Sequence, residues 1–205
     1  MHAGRSGAAA HGAAACIGPN AIIRTMEALQ EDAGPERLAA LLRQAGLEAY
    51  LVAPPQRMVP ASEVARLHQV LHQQLGSQRA AAVLRCAGER TGAYVLAHRI
   101  PALARFVLRR LPPRMAGRML VLAIRRHAWT FAGSAAFHAT GMRPVVFTLT
   151  GCPLCLGAIG TLPRCDFYAG CFETLFRALV HDQASATETS CAATGADACR
   201  FELRW

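Results

Sequence analysis

The chain contains no lysine, so arginine alone supplies the cations behind a formal net charge of +9 and a pI of about 9.8. Codon bias in a GC-rich genome accounts for that deficit but leaves the distribution unexplained. Between Arg90 and Arg126 lie Arg99, Arg105, Arg109, Arg110, Arg114, Arg118 and Arg125, with no carboxylate among them. Such a stretch attracts anions: nucleic acid, acidic lipid, an acidic partner or a carboxylate-bearing ligand. Leucine, isoleucine and valine interleave with the arginines at helical spacing, so the simplest reading is an amphipathic helix with a solvated basic face. A nucleic-acid partner is not expected, because no recognised motif accompanies the arginines and the segment is heavily apolar.

Long apolar runs are also missing. Met119 to Ile124 is typical, far short of the ~20 residues that a membrane span requires. The expectation is a cytoplasmic protein, peripheral to a membrane at most, with no integral segment. No Gly-x-Gly occurs, so the dinucleotide fingerprint is absent, and no Cys-x2-Cys-x2-Cys run offers an iron–sulfur site. Residues 1–17 are rich in alanine and glycine, contain no leucine, and are broken by His11. They lack the apolar centre of a secretory signal, and Ala-Ala-Ala-Cys16 lacks the leucine of a lipoprotein site. A disordered tail is expected over 1–17. Eight cysteines without a signal favour thiols or metal ligands over disulfides.

The 205 residues are 53% hydrophobic, enough for one domain with a full core over 18–205. Helical spacing marks 18–32, 35–46, 62–76 and 77–98, with Pro101 and Pro112-Pro113 punctuating two further segments that reach His127. The pattern then changes. Residues 134–140 and 144–150 read as strands, 152–163 as a loop, 166–181 as an amphipathic helix, and 186–192 and 198–205 as strands around Thr194-Gly195-Ala196-Asp197. N-terminal helices followed by a small antiparallel sheet with one intervening helix define an α+β fold.

The sharpest local pattern is Cys165, then Glu188-x2-Cys191-x7-Cys199. Gly195 is the midpoint of the last two cysteines, so a hairpin centred there sets them opposite each other. Two such thiolates make half of a tetrahedral metal site. Cys165, at a helix start that favours the thiolate, adds a third donor, and Glu188 an oxygen. Glu188 and Cys191 differ by three, which in a regular strand puts them on opposite faces. A bulge at Thr189 or Ser190 is therefore required. Buried small hydrophobes or a cross-strand disulfide are the plain alternatives. Cys152-x2-Cys155, with Cys171 nearby, offers a redox pair or substitute ligands.

The run from Glu188 through Cys191, Gly195 and Cys199 to Phe201 resembles the signature of the 4-vinyl reductase domain family. In aromatic-sensing members a Cys, a Glu and two further Cys bind zinc, with the spacing of Cys165, Glu188, Cys191 and Cys199. Tyr94 to Pro101, Leu111 to Pro113, Ala123 to Gly133 and Phe172 to Phe176 resemble its bacteriochlorophyll-synthesis branch, and the core of the likeness spans about 130–205. That resemblance implies structural zinc. It also implies a magnesium tetrapyrrole ligand of the protochlorophyllide type, held by a carrier or assembly factor that works with other bacteriochlorophyll-synthesis enzymes and that could be a homodimer. The family name implies instead a reductase of the vinyl group of divinyl protochlorophyllide, with NADPH as reductant. A small-molecule sensor or a scaffold is the third alternative.

A tetrapyrrole needs an apolar slot, an axial donor and cations for its carboxylates. His127, Trp129, Phe131, Phe137 and His138 are the candidates for the slot, with His127 or His138 on magnesium. Arg99, Arg125 or Arg126 would pair with a carboxylate. For each residue taken singly, an ordinary aromatic core is the competing reading.

Overall fold

The computed structural model describes residues 15–205. Of the expected tail, residues 1–14 lie outside the described part, but 15–17 belong to the fold. Cys16–Ile17 (β1) pairs antiparallel with Val59–Pro60 (β2). The Ala61 N–H donates to the Ala15 carbonyl at 2.7 Å, and Ile17 is buried. The domain therefore starts before residue 18, because an apolar side chain enters the core there.

The helical half follows the punctuation closely. Asn20–Gln44 (α1) covers both expected helices and breaks its geometry at Gly34, whose φ is +79°. Pro35 lacks an N–H and disfavours helical geometry in the residue before it, and a glycine absorbs that constraint without a Cβ. A four-residue helix, Ala49–Val52 (α2), was not expected. Ala61–Leu75 (α3) buries Val64, Leu67 and Leu71, and Gly76 joins it to Ser77–His98 (α4). Ala102–Arg110 (α5) and Pro113–Arg126 (α6) follow, each opened by proline. Trp129–Ala132 (α7) is one short turn.

The strands are Ala136–Gly141 (β3), Val145–Thr150 (β4), Ser185–Ser190 (β5) and Cys199–Arg204 (β6), with Asp166–Leu179 (α8) between β4 and β5. They form one antiparallel sheet in the order β3-β4-β6-β5. This is the expected α+β architecture.

Alternation along β4 and β6 sends Val145, Phe147, Leu149, Phe201 and Leu203 to one buried face. Phe172 of α8 meets that face edge-on, 5.0 Å from Phe147 and 5.6 Å from Phe201 between ring centroids. On its other side α8 packs against α4, and α4 in turn against α1 and α3. The α4–α8 approach is close because Gly88, Gly92 and Gly170 stand at the crossing. A Cβ on Gly92 would lie 2.8 Å from the Thr174 side chain. Glu173 is buried there, accepting from Arg85 at 2.7 Å, Arg177 at 2.9 Å and the Ala186 N–H at 3.0 Å, so one carboxylate ties α4, α8 and β5 together.

Candidate metal centre and its surroundings

The thiol cluster forms where the sheet, the α8 start and the 152–163 loop meet. Thr189 is the extra residue of a bulge in β5, because Glu188 pairs with Phe201 while Ser190 pairs with Arg200. The bulge rotates the end of the strand by one position, so Glu188 and Cys191 come to the same side, as their spacing requires. Gly195, with φ +90°, turns the chain back and returns Cys199 to Cys191. Cys165 stands at the residue before the first turn of α8. All three thiols are buried.

The loop adds two more donors. A 3-10 turn at Pro153–Cys155 is held against α3, where Gln69 Nε2 donates to the Leu156 carbonyl at 2.7 Å. Further along, the Gly160 N–H donates to the Ala193 carbonyl at 2.8 Å. Cys152 and Cys155 are thereby buried beside the other three. The sequence reading keeps them apart as alternatives, whereas the fold unites them in one cluster.

Sγ–Sγ separations from Cys155 are 3.2 Å to Cys165, 3.5 Å to Cys199 and 3.6 Å to Cys191. Cys165 to Cys199 is 3.7 Å, Cys191 to Cys199 is 4.0 Å, and Cys165 to Cys191 lies within 4.8 Å. A metal with sulfur bonds of about 2.3 Å sets tetrahedral edges of about 3.8 Å. These four sulfurs are therefore spaced as a tetrathiolate site requires. Cys152 lies 3.7 Å from Cys165 and completes a second quartet with Cys155, Cys165 and Cys199. The expected set of Cys165, Glu188, Cys191 and Cys199 also converges within 4.8 Å.

Glu188 Oε2 accepts from the Cys165 N–H at 2.8 Å, while its Oε1 is buried without a hydrogen-bond partner. That orphaned oxygen is a donor to spare. Burial pushes the Glu188 carboxyl up to about 9, and the neighbouring Cys191 adds to the shift. Hydrogen bonds with Cys155 and Cys165 lower Cys191 to about 6. Bonding with Cys152 leads the causes that lower Cys199 to about 5. Cys165 moves upward through its contacts with Cys152 and the other thiols, against the expectation from its helix-start position. Five soft donors, two held toward the thiolate, can bind a cation that replaces their shared protons.

The other expected site residues do not converge. Phe131 and Phe137 meet edge to face at 5.4 Å, and Phe131 also packs on Tyr168 and Phe172. Both rings belong to the aromatic core. His138 follows Phe137 on β3, pairs with Thr148 and is exposed on the opposite sheet face. Adjacent strand residues always diverge in this way, a signal available in the sequence. His127 and Trp129 are exposed at the α6–α7 junction, with His127 Nδ1 2.9 Å from the Ala123 carbonyl. Arg125 is exposed beside them, and Arg99 lies over the Tyr94 ring at 6.0 Å, also exposed.

A thiol cluster built on this sheet and helix is shared with known proteins. Residues 145–205, which include all five clustered cysteines and strands β4 to β6, match the model of the 4-vinyl reductase domain. The bacteriochlorophyll synthase 23 kDa chain of Cereibacter sphaeroides is 40% identical over 187 residues, covering 91% of this chain and 89% of the relative. Its namesake from Rhodobacter capsulatus is 38% identical over 188 residues, covering 91% and 86%. The chain belongs to this bacteriochlorophyll-synthesis family of 4-vinyl reductase domain proteins.

Among solved structures, an H-NOX protein from K. algicida superposes with a TM-score of 0.58 at 14% identity, covering 92% of this chain and 96% of that one. The phenol-responsive sensory domain of the transcription activator PoxR reaches 0.51 at 16% identity, covering 73% and 77%. These likenesses are of fold alone.

Proposed function

We propose that this protein serves bacteriochlorophyll biosynthesis by holding a magnesium tetrapyrrole of the protochlorophyllide type, as a carrier or assembly factor beside the synthesis enzymes. The reading rests on the 40% identity to a bacteriochlorophyll synthase chain across nearly the whole length of both. The exposed segment from Arg125 to Trp129 supports it. There an imidazole, a large aromatic ring and a guanidinium stand together at the surface. An imidazole nitrogen can serve as an axial donor to magnesium, a ring can cover a macrocycle face, and a guanidinium can pair with a propionate.

The thiol cluster has a structural part in this reading. We infer that it binds zinc, with Cys155, Cys165, Cys191 and Cys199 as donors and Glu188 steadying the Cys165 backbone. Zinc there would pin the 152–163 loop, the α8 start and the β5–β6 hairpin to one another, so metal binding becomes folding free energy.

The deciding experiment incubates purified protein with divinyl and monovinyl protochlorophyllide, with and without NADPH. A shifted pigment spectrum that weakens in His127→Ala is the expected result. Retention of the full shift in both His127→Ala and His138→Ala refutes axial ligation by either residue. Conversion of an 8-vinyl to an 8-ethyl pigment by the pure protein with NADPH would replace the carrier with a reductase. Absence of binding by every precursor would leave the scaffold role.

A further inference from the structure

The two helices at the edge of the fold are amphipathic in an unusual sense: both of their faces carry large apolar side chains. α6 buries Ala116, Gly117, Leu120 and Ile124. Its outward side presents Met115, Met119 and Leu122, about half to two-thirds exposed. These recur at i, i+4 and i+7, one continuous stripe on the helix. On α5 only Leu108 is buried, while Leu103, Phe106 and Val107 form the outward stripe, with Leu103 74% exposed. A fold that exposes so much apolar surface on two consecutive helices leaves it for something else to cover.

Charge identifies what covers it. Arg110 and Arg114 flank the Pro112-Pro113 turn, and Arg118 and Arg126 run along the α6 stripe, all exposed. Arg110 also lies over the Phe106 ring at 4.8 Å. No carboxylate occurs from residue 91 to residue 165. Among the described residues, no arginine of α5 or α6 forms an ion pair. The surface is therefore apolar and cationic at once, with its charge uncompensated. A second copy of the chain placed face to face would set these arginines against each other, since a two-fold contact repeats the same patch. A nucleic acid would leave the leucine, phenylalanine and methionine side chains uncovered against phosphate.

We propose that the α5–α6 face docks on the surface of an anionic lipid bilayer, with Leu103, Phe106, Met115, Met119 and Leu122 entering the boundary between headgroups and acyl chains and the arginines contacting lipid phosphates. Interfacial binding of this type combines buried apolar area with attraction to anionic lipid. No helix of the described residues is long and apolar enough to cross a membrane, so attachment is by this face and is reversible. The proposal is independent of the pigment reading, because none of these five side chains is assigned to the tetrapyrrole.

The test is sedimentation of the purified full chain with vesicles of pure phosphatidylcholine or of phosphatidylcholine mixed with phosphatidylglycerol. Binding to the anionic vesicles alone, weakened by added NaCl, is expected. Arg110→Gln with Arg114→Gln should weaken partitioning by about 25-fold, about fivefold per arginine near the surface. Phe106→Ser with Met119→Ser should weaken it by at least about tenfold. All four positions are exposed, and an unchanged melting temperature for each pair shows that lost binding is not lost folding. Absence of binding to anionic vesicles at low salt overturns the proposal. So does binding that the Phe106/Met119 pair leaves unchanged, or equal affinity for soluble polyglutamate, since either outcome makes the surface a charge-only site for an acidic protein.

Discussion

Acidification should destabilise this protein through one residue on α3. His68 is 2% exposed and packs against the Phe167 ring at 6.0 Å. Burial, with a smaller contribution from His72 one turn on, lowers its pKa to about 3. The imidazole is then neutral in the fold throughout the ordinary pH range, while in the unfolded chain it takes a proton near pH 6.5. Below that value the unfolded state binds more protons than the folded one, so stability falls as pH falls, and keeps falling toward pH 3. At pH 5 the loss from His68 is about 1.5 units at 1.36 kcal/mol each, or ~2 kcal/mol. His72, lowered to about 4 chiefly by burial, adds to the same slope. A leucine at position 68 has no proton to take up. Urea unfolding of the native chain and of His68→Leu at pH 7.5, 6 and 5 measures the difference. The variant should lose ~2 kcal/mol less than the native chain between pH 7.5 and 5. Parallel losses in the two proteins would show that His68 is solvated or hydrogen-bonded in the fold, and the burial argument would be wrong.

The zinc reading predicts about one equivalent of zinc per chain by elemental analysis of carefully purified protein. Cys199→Ser should lower the melting temperature sharply and shed the metal, because its thiol takes part in both thiol quartets around the cluster. Metal-free native protein of full stability would count against it. Truncation distinguishes the two parts of the N-terminal segment. Removal of residues 2–14 should leave the melting temperature unchanged, whereas removal through Ile17 should cost ~1.5–3 kcal/mol for the lost burial of one isoleucine, read by denaturant unfolding.

Much of the architecture follows from local rules that a sequence displays openly. Val64, Leu67 and Leu71 repeat at helical spacing whatever lies around them, and they are buried on α3. Pro101 and Pro112-Pro113 end helices because proline lacks an N–H and clashes with the preceding turn. The bulge between Glu188 and Ser190 was required by spacing alone, once both Glu188 and Cys191 were to face one site. Family membership was likewise legible, since it rests on motifs read along the chain.

Contacts between distant segments were not legible. Cys155 reaches Cys191 and Cys199 across 36 and 44 residues. Only the folded 152–163 loop, tied to α3 at one end and to the β5–β6 connection at the other, makes five thiols of what reads as three and a spare pair. Periodicity also left the orientation of α5 and α6 undecided. Both of their faces carry apolar residues, and hydrophobic pattern picks a buried face only when the opposite face is polar. Which stripe met the core was decided by what α8 and β3 offered: a glycine face at Gly117 against the Trp205 ring, with Leu120 and Ile124 beside it. The remaining stripe stayed outside with its arginines, because burying unpaired guanidinium groups costs far more than exposing methionine and leucine.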